Sequence, residues 1–300
     1  MPITLSLLRK VITVGMIFLL PTTSFSIDSS TLLQFLGTEH TPRVSLLPTS
    51  LPLADSFKPG TNPYAGTVAQ IQGTAYVYHQ GGTVAYKLMT NIPLFSGDTL
   101  VTGEKSRITL QMADDTILSL AAQTKLTIDK SLPRMKVRDT VLQLFFGRIR
   151  ALVKKLAGEY IINTPNSSVG VRGTDFAVVV ALAPKSRMAG WRKKVPAGLL
   201  TAVLTGQAPS TVELVGRFGS SIMVKPFSVA GIATGSRAEE AMYVGPAAIP
   251  LLQQIAPQEA FQSYLPKKPA PAAAPCWPFS GTAKGLTYFK VCTPGEKPSS

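Results

Sequence analysis

The chain has 300 residues and a formal net charge of +14, from 30 Lys and Arg against 16 Asp and Glu. Apolar residues make up 45 %, which is too many for a chain that is disordered throughout. Glycine and proline number 24 each, and no heptad composition supports a coiled coil. Because there are only two histidines and two cysteines, we expect no His/Cys metal centre, no Cys–His catalytic pair and no cofactor.

Residues 1–26 have the three-part form of a secretory signal peptide. Arg9 and Lys10 precede ten uncharged, mainly apolar residues, and small residues stand just before a cleavage site at Ile27. A membrane span needs about 20 apolar residues, so an uncleaved anchor is the less favoured alternative. We therefore expect a periplasmic or extracellular protein without a stable membrane span. Outside the cytoplasm, the positive net charge favours anionic envelope polymers rather than nucleic acid as partners. The alternative is a basic surface that binds no partner.

The chain then divides by composition into a linker, a β domain, a spacer and a tail. Residues 27–63 are rich in Ser and Pro, which predicts an extended linker or a strip lying on the domain. Residues 64–246 contain short β-branched runs between Gly, Asp and Asn turns. Their recurrence every 8–12 residues or so predicts an all-β domain, arranged as a sandwich, a roll or a barrel. Residues 247–275 suit a short helix and a Pro-rich spacer.

Turn residues place the strands inside the β domain. Hairpins are predicted at Gly81-Gly82 and at Asp114-Asp115, and a turn at Gly97-Asp98. The run from Thr140 to Leu156 is predicted to form two strands with a break at Gly147; a helix is the alternative.

The tail from residue 276 to residue 300 contains the only cysteines, Cys276 and Cys292. In an oxidising compartment these two residues are expected to form a disulfide that closes a small C-terminal hairpin.

Two motifs in the β domain carry a resemblance to a known family. The first is the turn that includes Gly97 and Asp98, and the second runs from Thr164 to Phe176. The second motif contains the following landmark residues: Thr164, Pro165, Gly170, Arg172, Gly173, Thr174 and Asp175. In this order the motifs resemble the FecR domain family, from about Tyr64 to Val180.

The resemblance implies an exported all-β domain of curved antiparallel sheets, arranged as a sandwich, a roll or a solenoid. In signalling members of the family, this domain meets an outer-membrane receptor. Signalling members of the family also have a cytoplasmic anti-sigma segment and one membrane span. Only ten residues precede the apolar run here, so we expect a stand-alone exported FecR-like protein without the anti-sigma segment.

Charged residues near the second motif are candidates for binding. Arg172 and Asp175 are expected to form an ion pair that braces the turn; the alternative is that Arg172 binds an anion. Further basic residues could form an anion-binding surface with Trp191, or could merely be solvated. These residues are Arg148, Arg150, Arg192, Lys193 and Lys194.

Catalytic and metal-binding chemistry finds little support. Asp98, Asp114 and Asp115 stand at predicted turns, where such side chains usually bond to their own backbone rather than act as acids or calcium ligands. His40 and His79 are expected to be solvated. We therefore predict a non-catalytic envelope or cell-surface protein that binds a protein or glycan. The alternatives are a periplasmic signal-relay component of a FecR-type system and an envelope polymer-modifying enzyme.

Overall fold

The computed structural model describes residues 29–42, 45–131, 137–155, 157–183, 198–207, 211–237 and 240–256. These residues form eighteen strands, two α-helices and one short 3₁₀ helix, so the predicted all-β fold class is confirmed. The helices are α1 Ser29–Gly37, the 3₁₀ turn Gly245–Ala247 and α2 Ala248–Ile255. The strands are β1 Leu53–Ala54, β2 Tyr64–Gln72, β3 Ala75–Tyr78, β4 Ala85–Lys87, β5 Pro93–Phe95, β6 Thr99–Thr102, β7 Arg107–Met112, β8 Ile117–Leu120, β9 Lys125–Ser131, β10 Val137–Leu152, β11 Ala157–Asn163, β12 Ser167–Val171, β13 Asp175–Leu182, β14 Leu199–Thr205, β15 Val212–Gly216, β16 Ser221–Val224, β17 Ser228–Ala233 and β18 Met242–Tyr243.

The strands form two curved sheets that share β10. Sheet A has the order β1-β4-β3-β6-β9-β10-β11-β12-β15-β16. Sheet B has the order β5-β2-β7-β8-β10-β13-β14-β17-β18. Only the β1–β4 and β10–β11 pairs are parallel among the described strands.

Strand β10 passes from one sheet to the other at Gly147. Its first part pairs with β9 and β11 in sheet A, and its second part pairs with β8 and β13 in sheet B. Gly147 has φ +104, and a Cβ there would lie 2.4 Å from Oγ1 of Thr124, so glycine is required. The expected break at Gly147 is therefore a bend within one long strand, and the alternative of a helix is wrong.

The main core lies between the two sheets. Alternate residues of the facing strands are fully buried there, as the period of two in a strand requires. Representative members of this core are Leu100, Leu126, Leu144, Ile149, Phe176 and Val178.

A second apolar layer covers the outer face of sheet B. Strands β13 and β14 are buried on both faces. Helix α2 packs against them, and α1 packs against β17 and α2. Leu32, Phe35 and Leu36 of α1 have the i, i+3, i+4 spacing of one helix face and are buried. This helix lies in the segment that was predicted to be an extended linker. The prolines begin only at Pro42, after the helix has ended.

Several predicted segments lie outside the described residues. They are the signal peptide 1–26, the Pro/Ala-rich part of the spacer and the tail with Cys276 and Cys292. Helix α2 lies where a short helix was expected. The predicted domain boundaries stay predictions. No helix in the described ranges is long and apolar enough to cross a membrane.

Candidate functional site

The first motif forms a tight turn before β6, and its aspartate is buried. Gly97 has φ +88, and Asp98 is 1 % exposed. Oδ2 of Asp98 accepts the backbone N–H of Phe95 at 2.8 Å, while Oδ1 lies 2.6 Å from Nδ1 of His79. Burial raises the pKa of Asp98, and the hydrogen bond with His79 works against this rise. Asp98 thus holds the turn together.

His79 connects this turn to the N-terminal segment. Its Nε2–H donates to the backbone carbonyl of Lys58 at 2.8 Å, and its ring contacts Phe57 and Tyr86. The expectation that His79 is solvated is therefore wrong. Sequence reasoning missed its partner Asp98 because 19 residues separate them along the chain.

The second motif contains β12 and the turn that leads from it into β13. Gly173 has φ +66, and a Cβ there would lie 2.6 Å from Cα of Lys155, so no other residue fits without movement. Asp175 at the end of this turn accepts two hydrogen bonds from Arg150, from Nε at 2.9 Å and from Nη2 at 2.8 Å. The predicted partner, Arg172, is exposed. The expected Arg172–Asp175 pair is therefore replaced by a pair between neighbouring strands.

Arg150 also binds the end of α2. Its Nη1 donates to the carbonyl oxygens of Ala256 at 2.6 Å and Leu252 at 3.4 Å. The Leu252 carbonyl also accepts the backbone N–H of Ala256, and the carbonyl end of a helix favours a cation. Arg150 thereby joins β10, β13 and α2, and its donors are occupied by the protein itself.

The predicted basic surface is not assembled as expected. Arg148 and Arg150 share one strand face, as predicted, but they are only 5 % and 6 % exposed. That face is neither solvated nor open to a large polyanion, because α1 and α2 cover this side of sheet B. Arg192, Lys193 and Lys194 lie outside the described residues.

Thr164 and Asn166 form a buried polar network where β11 ends. The side-chain amide of Asn166 donates to the carbonyls of Leu199 at 3.0 Å and Ile232 at 2.8 Å, and its Oδ1 accepts from Thr201. Thr164 Oγ1 accepts the backbone N–H of Ser167 at 3.0 Å. These hydrogen bonds join sheet A to sheet B near the second motif.

The remaining acidic residues at turns also have structural partners. Asp114 is buried and accepts from the Thr116 backbone N–H and from the Thr140 hydroxyl. Asp115 has φ +61 and contacts Nζ of Lys154 at 3.0 Å. Within the described ranges, no group of three His, Cys, Asp or Glu side chains could hold a metal ion.

The outer face of sheet A is less covered than that of sheet B. A row of side chains crosses it in register, formed by Tyr78, Thr99, Thr127, Gln143, Asn163, Ser168 and Val215. Lys125 lies beside this row, with Nζ 5.9 Å from the ring centre of Tyr78 and 5.6 Å from that of Phe145. At the end of the sheet, Met223 of β16 is 52 % exposed. Among the described strands, only β15 pairs with β16.

Both motifs fall at or inside a recognised family region. Residues 98–208 match the FecR protein family. The chain contains a FecR domain. The family region begins at Asp98 of the first motif, contains the whole second motif and ends just beyond β14. The predicted resemblance is thereby confirmed.

The similarity of this chain to solved structures is weaker than its match to the family. Two crystal structures, at 1.65 Å and 2.50 Å resolution, are of a candidate anti-sigma factor from Parabacteroides distasonis ATCC 8503. Each shares 16 % sequence identity with this chain, with a TM-score of 0.36, over 48 % of this chain and 59 % of that protein. The chain thus spans less than two thirds of the protein that it resembles. No curated protein matches the chain.

Proposed function

We propose that this protein is a signal-relay component of a FecR-type regulatory system, in which the FecR domain binds a partner protein. The observation that carries the proposal is the FecR match over residues 98–208. This role replaces the general envelope-binding function as the first candidate, because the family relationship favours regulation.

The chemistry of the motifs supports a binding role over a catalytic one. Asp98, Asp114 and Asp175 each accept hydrogen bonds that hold a turn or join two strands. A general acid or base needs a free proton-transfer path to its substrate, and these carboxylates are engaged by the fold. The proposed function is therefore non-enzymatic.

The outer face and free edge of sheet A form the proposed partner-binding surface. Strand β16 offers backbone groups along its outer side, and an extended peptide can pair with such an edge. Met223 on β16 and Phe218 in the preceding turn are 52 % and 67 % exposed, which supplies apolar contact area beside that edge.

Export is part of the same proposal. The signal peptide predicted over residues 1–26 would place the FecR domain in the periplasm or outside the cell. Cell fractionation and N-terminal sequencing of the mature protein test this part. We expect a mature chain that starts at or near Ile27, and recovery of the whole chain from the cytosol would contradict export.

A deletion strain tests the relay role. Transcripts of a defined gene set should change at least about fivefold on deletion, and the wild-type gene should restore them. Met223→Lys should fail to restore them, because it places a charge on the proposed edge. Met89→Lys is the matched control, since Met89 is 61 % exposed in the loop after β4. A transcript profile unchanged by deletion would overturn the relay role.

Glycan binding is the second candidate, and one cavity favours it. A groove of about 640 Å³ lies at the Tyr78 end of the exposed row, and Thr99, Thr127 and Asp129 also line it. An aromatic ring beside hydroxyl and carboxylate groups suits a sugar. Saturable binding of envelope glycans that Tyr78→Ala removes, in a strain with an unchanged transcript profile, would favour this second function.

A further inference from the structure

Two arginines lie on the outer face of sheet B with a small residue between them. In the antiparallel register, Ile108 pairs with Leu120 and Leu120 pairs with Ile149. Arg107 and Arg148 therefore stand on either side of Ala121, one strand away on each side. Because the Ala121 side chain is small, it leaves a gap between the two long arginine side chains.

The positive charges of Arg107 and Arg148 are only partly balanced by nearby acidic groups. Arg148 is 5 % exposed, and its closest acidic contact is a 3.4 Å approach of Nη2 to Oε1 of Glu39. Within the described part of the chain, the buried Nη1 of Arg148 and the buried Nε of Arg107 have no hydrogen-bond partner. The side chain of Glu39 is itself 75 % exposed, so a single solvated carboxylate faces two guanidinium groups.

The electrostatics agree with this geometry. Burial lowers the pKa of the Arg148 guanidinium, the charge of Glu39 raises it, and the charge of Arg107 lowers it again. Burial also lowers the pKa of Arg107, and Glu39 again raises it. The two cations thus repel each other while both are attracted to the same carboxylate.

A cavity opens beside Arg148. Its volume is about 220 Å³, which is enough for a compact anion. It is bounded by the segment after α1, the β6–β7 turn, the turn after β8 and β10. Its lining residues are Glu39, His40, Thr41, Glu104, Lys105, Ala122, Gln123 and Arg148.

We propose that this cavity, the arginine hollow, binds a phosphate group that takes the place of the Glu39 carboxylate on Arg148, with the charge of nearby Arg107 adding to the attraction. A phosphate carries more negative charge than one carboxylate and can accept several N–H donors at once. The guanidinium group is the side chain best suited to such an oxyanion. The proposal rests on the hollow alone and does not depend on the relay role.

The primary test uses the mature full-length protein and inorganic phosphate, against chloride at matched ionic strength. Phosphate should raise the thermal midpoint in a saturable manner, and calorimetry should give a single site. Arg148→Met should lose at least about tenfold in phosphate affinity. Arg172→Met is the matched control, because it removes the same charge from an exposed position, and it should bind phosphate as the wild type does.

A second variant keeps the proposal testable if Arg148→Met does not fold. Glu39→Gln removes the competing carboxylate at an exposed position and should raise phosphate affinity about tenfold. An unchanged affinity in Glu39→Gln, or an equal phosphate response in Arg148→Met and the wild type, overturns the proposal. The absence of saturable binding to the wild type and to Glu39→Gln also overturns it.

The source of the phosphate group is decided by parallel measurements. Inorganic phosphate, glycerol 3-phosphate and phosphatidylcholine vesicles that contain phosphatidic acid are each titrated into the wild type and Arg148→Met. An Arg148-dependent response to the soluble ligands alone indicates a free ion or a small phosphate ester. A response that is strongest with vesicles indicates a lipid headgroup.

Discussion

Arg148 and Arg150 stand two residues apart on β10 and project from the same face of sheet B, yet their surroundings differ. Arg150 lies under the end of α2 and donates hydrogen bonds to the Asp175 carboxylate and to carbonyls at the end of α2. Arg148 lies under the segment that follows α1 and has one long contact with an exposed glutamate. The comparison shows that a buried guanidinium stabilises the fold when acceptors surround it, and leaves an unbalanced positive charge when they do not.

The largest expected loss of stability is at Arg150, whose guanidinium has acceptors on β13 and α2. Arg150→Met should lower the free energy of unfolding by about 3 kcal/mol or more, since it leaves the Asp175 carboxylate without its two donors and removes the contact with the Ala256 carbonyl. Urea unfolding measures this loss. In the double variant Arg150→Met with Asp175→Leu the loss should be smaller, because both charges are gone. A loss under about 1 kcal/mol in the single variant would contradict the central role given to Arg150.

The packing of α1 provides the next test. A Cβ on Gly231 would lie 2.8 Å from Cδ2 of Leu32, so Gly231→Ala forces this side chain to move without straining its own backbone. We expect a cost of about 1–3 kcal/mol and faster hydrogen exchange in α1 than in α2. Gly170→Ala is the control, because its nearest neighbour would be 3.9 Å away. Equal exchange in the two helices would show that α1 is not held through Leu32.

At Arg148, the same substitution of arginine by methionine should change the free energy of unfolding much less. Arg148→Met removes a buried charge and leaves behind Glu39, which is already in contact with water. We expect the free energy of unfolding without phosphate to change by less than about 1 kcal/mol, in either direction. Urea unfolding beside Arg150→Met gives the direct comparison. A loss as large as that of Arg150→Met would show that Arg148 has partners as strong as those of its neighbour.

The smallest effect is a dependence on pH at His40, beside the arginine hollow. Its Nε2–H donates to the carbonyl of Phe35, and burial lowers the pKa of the ring below its ordinary value. The unfolded chain therefore takes up a proton first as the pH falls below about 6.5, so this contribution to stability is complete above that pH and is lost below it. Between pH 7.5 and pH 5, the free energy of unfolding measured with urea should fall less in His40→Asn than in the wild type. Parallel declines would contradict this assignment.

The sequence predicts the general architecture well, for physical reasons that are local. Alternating apolar residues and the Gly and Asp turns indicate the strands, and Asp115 adopts the left-handed backbone that such a turn needs. Two features are harder to predict. The path of β10 through both sheets depends on which strands it meets, and α1 is a short apolar run that becomes a helix against β17 and α2.

The partners of charged residues could not be predicted from spacing. Asp175 was assigned to Arg172, three residues away, whereas its partner Arg150 is 25 residues away on a neighbouring strand. Glu39 and Arg148 are separated by 109 residues. Such pairs depend on strand register and on which helix covers which face, and neither is encoded in a short window of sequence.

The bend at Gly147 has a consequence for how the protein unfolds. Because β10 pairs with strands of both sheets, the backbone hydrogen bonds of the two sheets meet on one strand. We therefore expect the FecR domain to unfold as one cooperative unit rather than sheet by sheet, and a displacement of β10 in one sheet to reach the other sheet along the same strand.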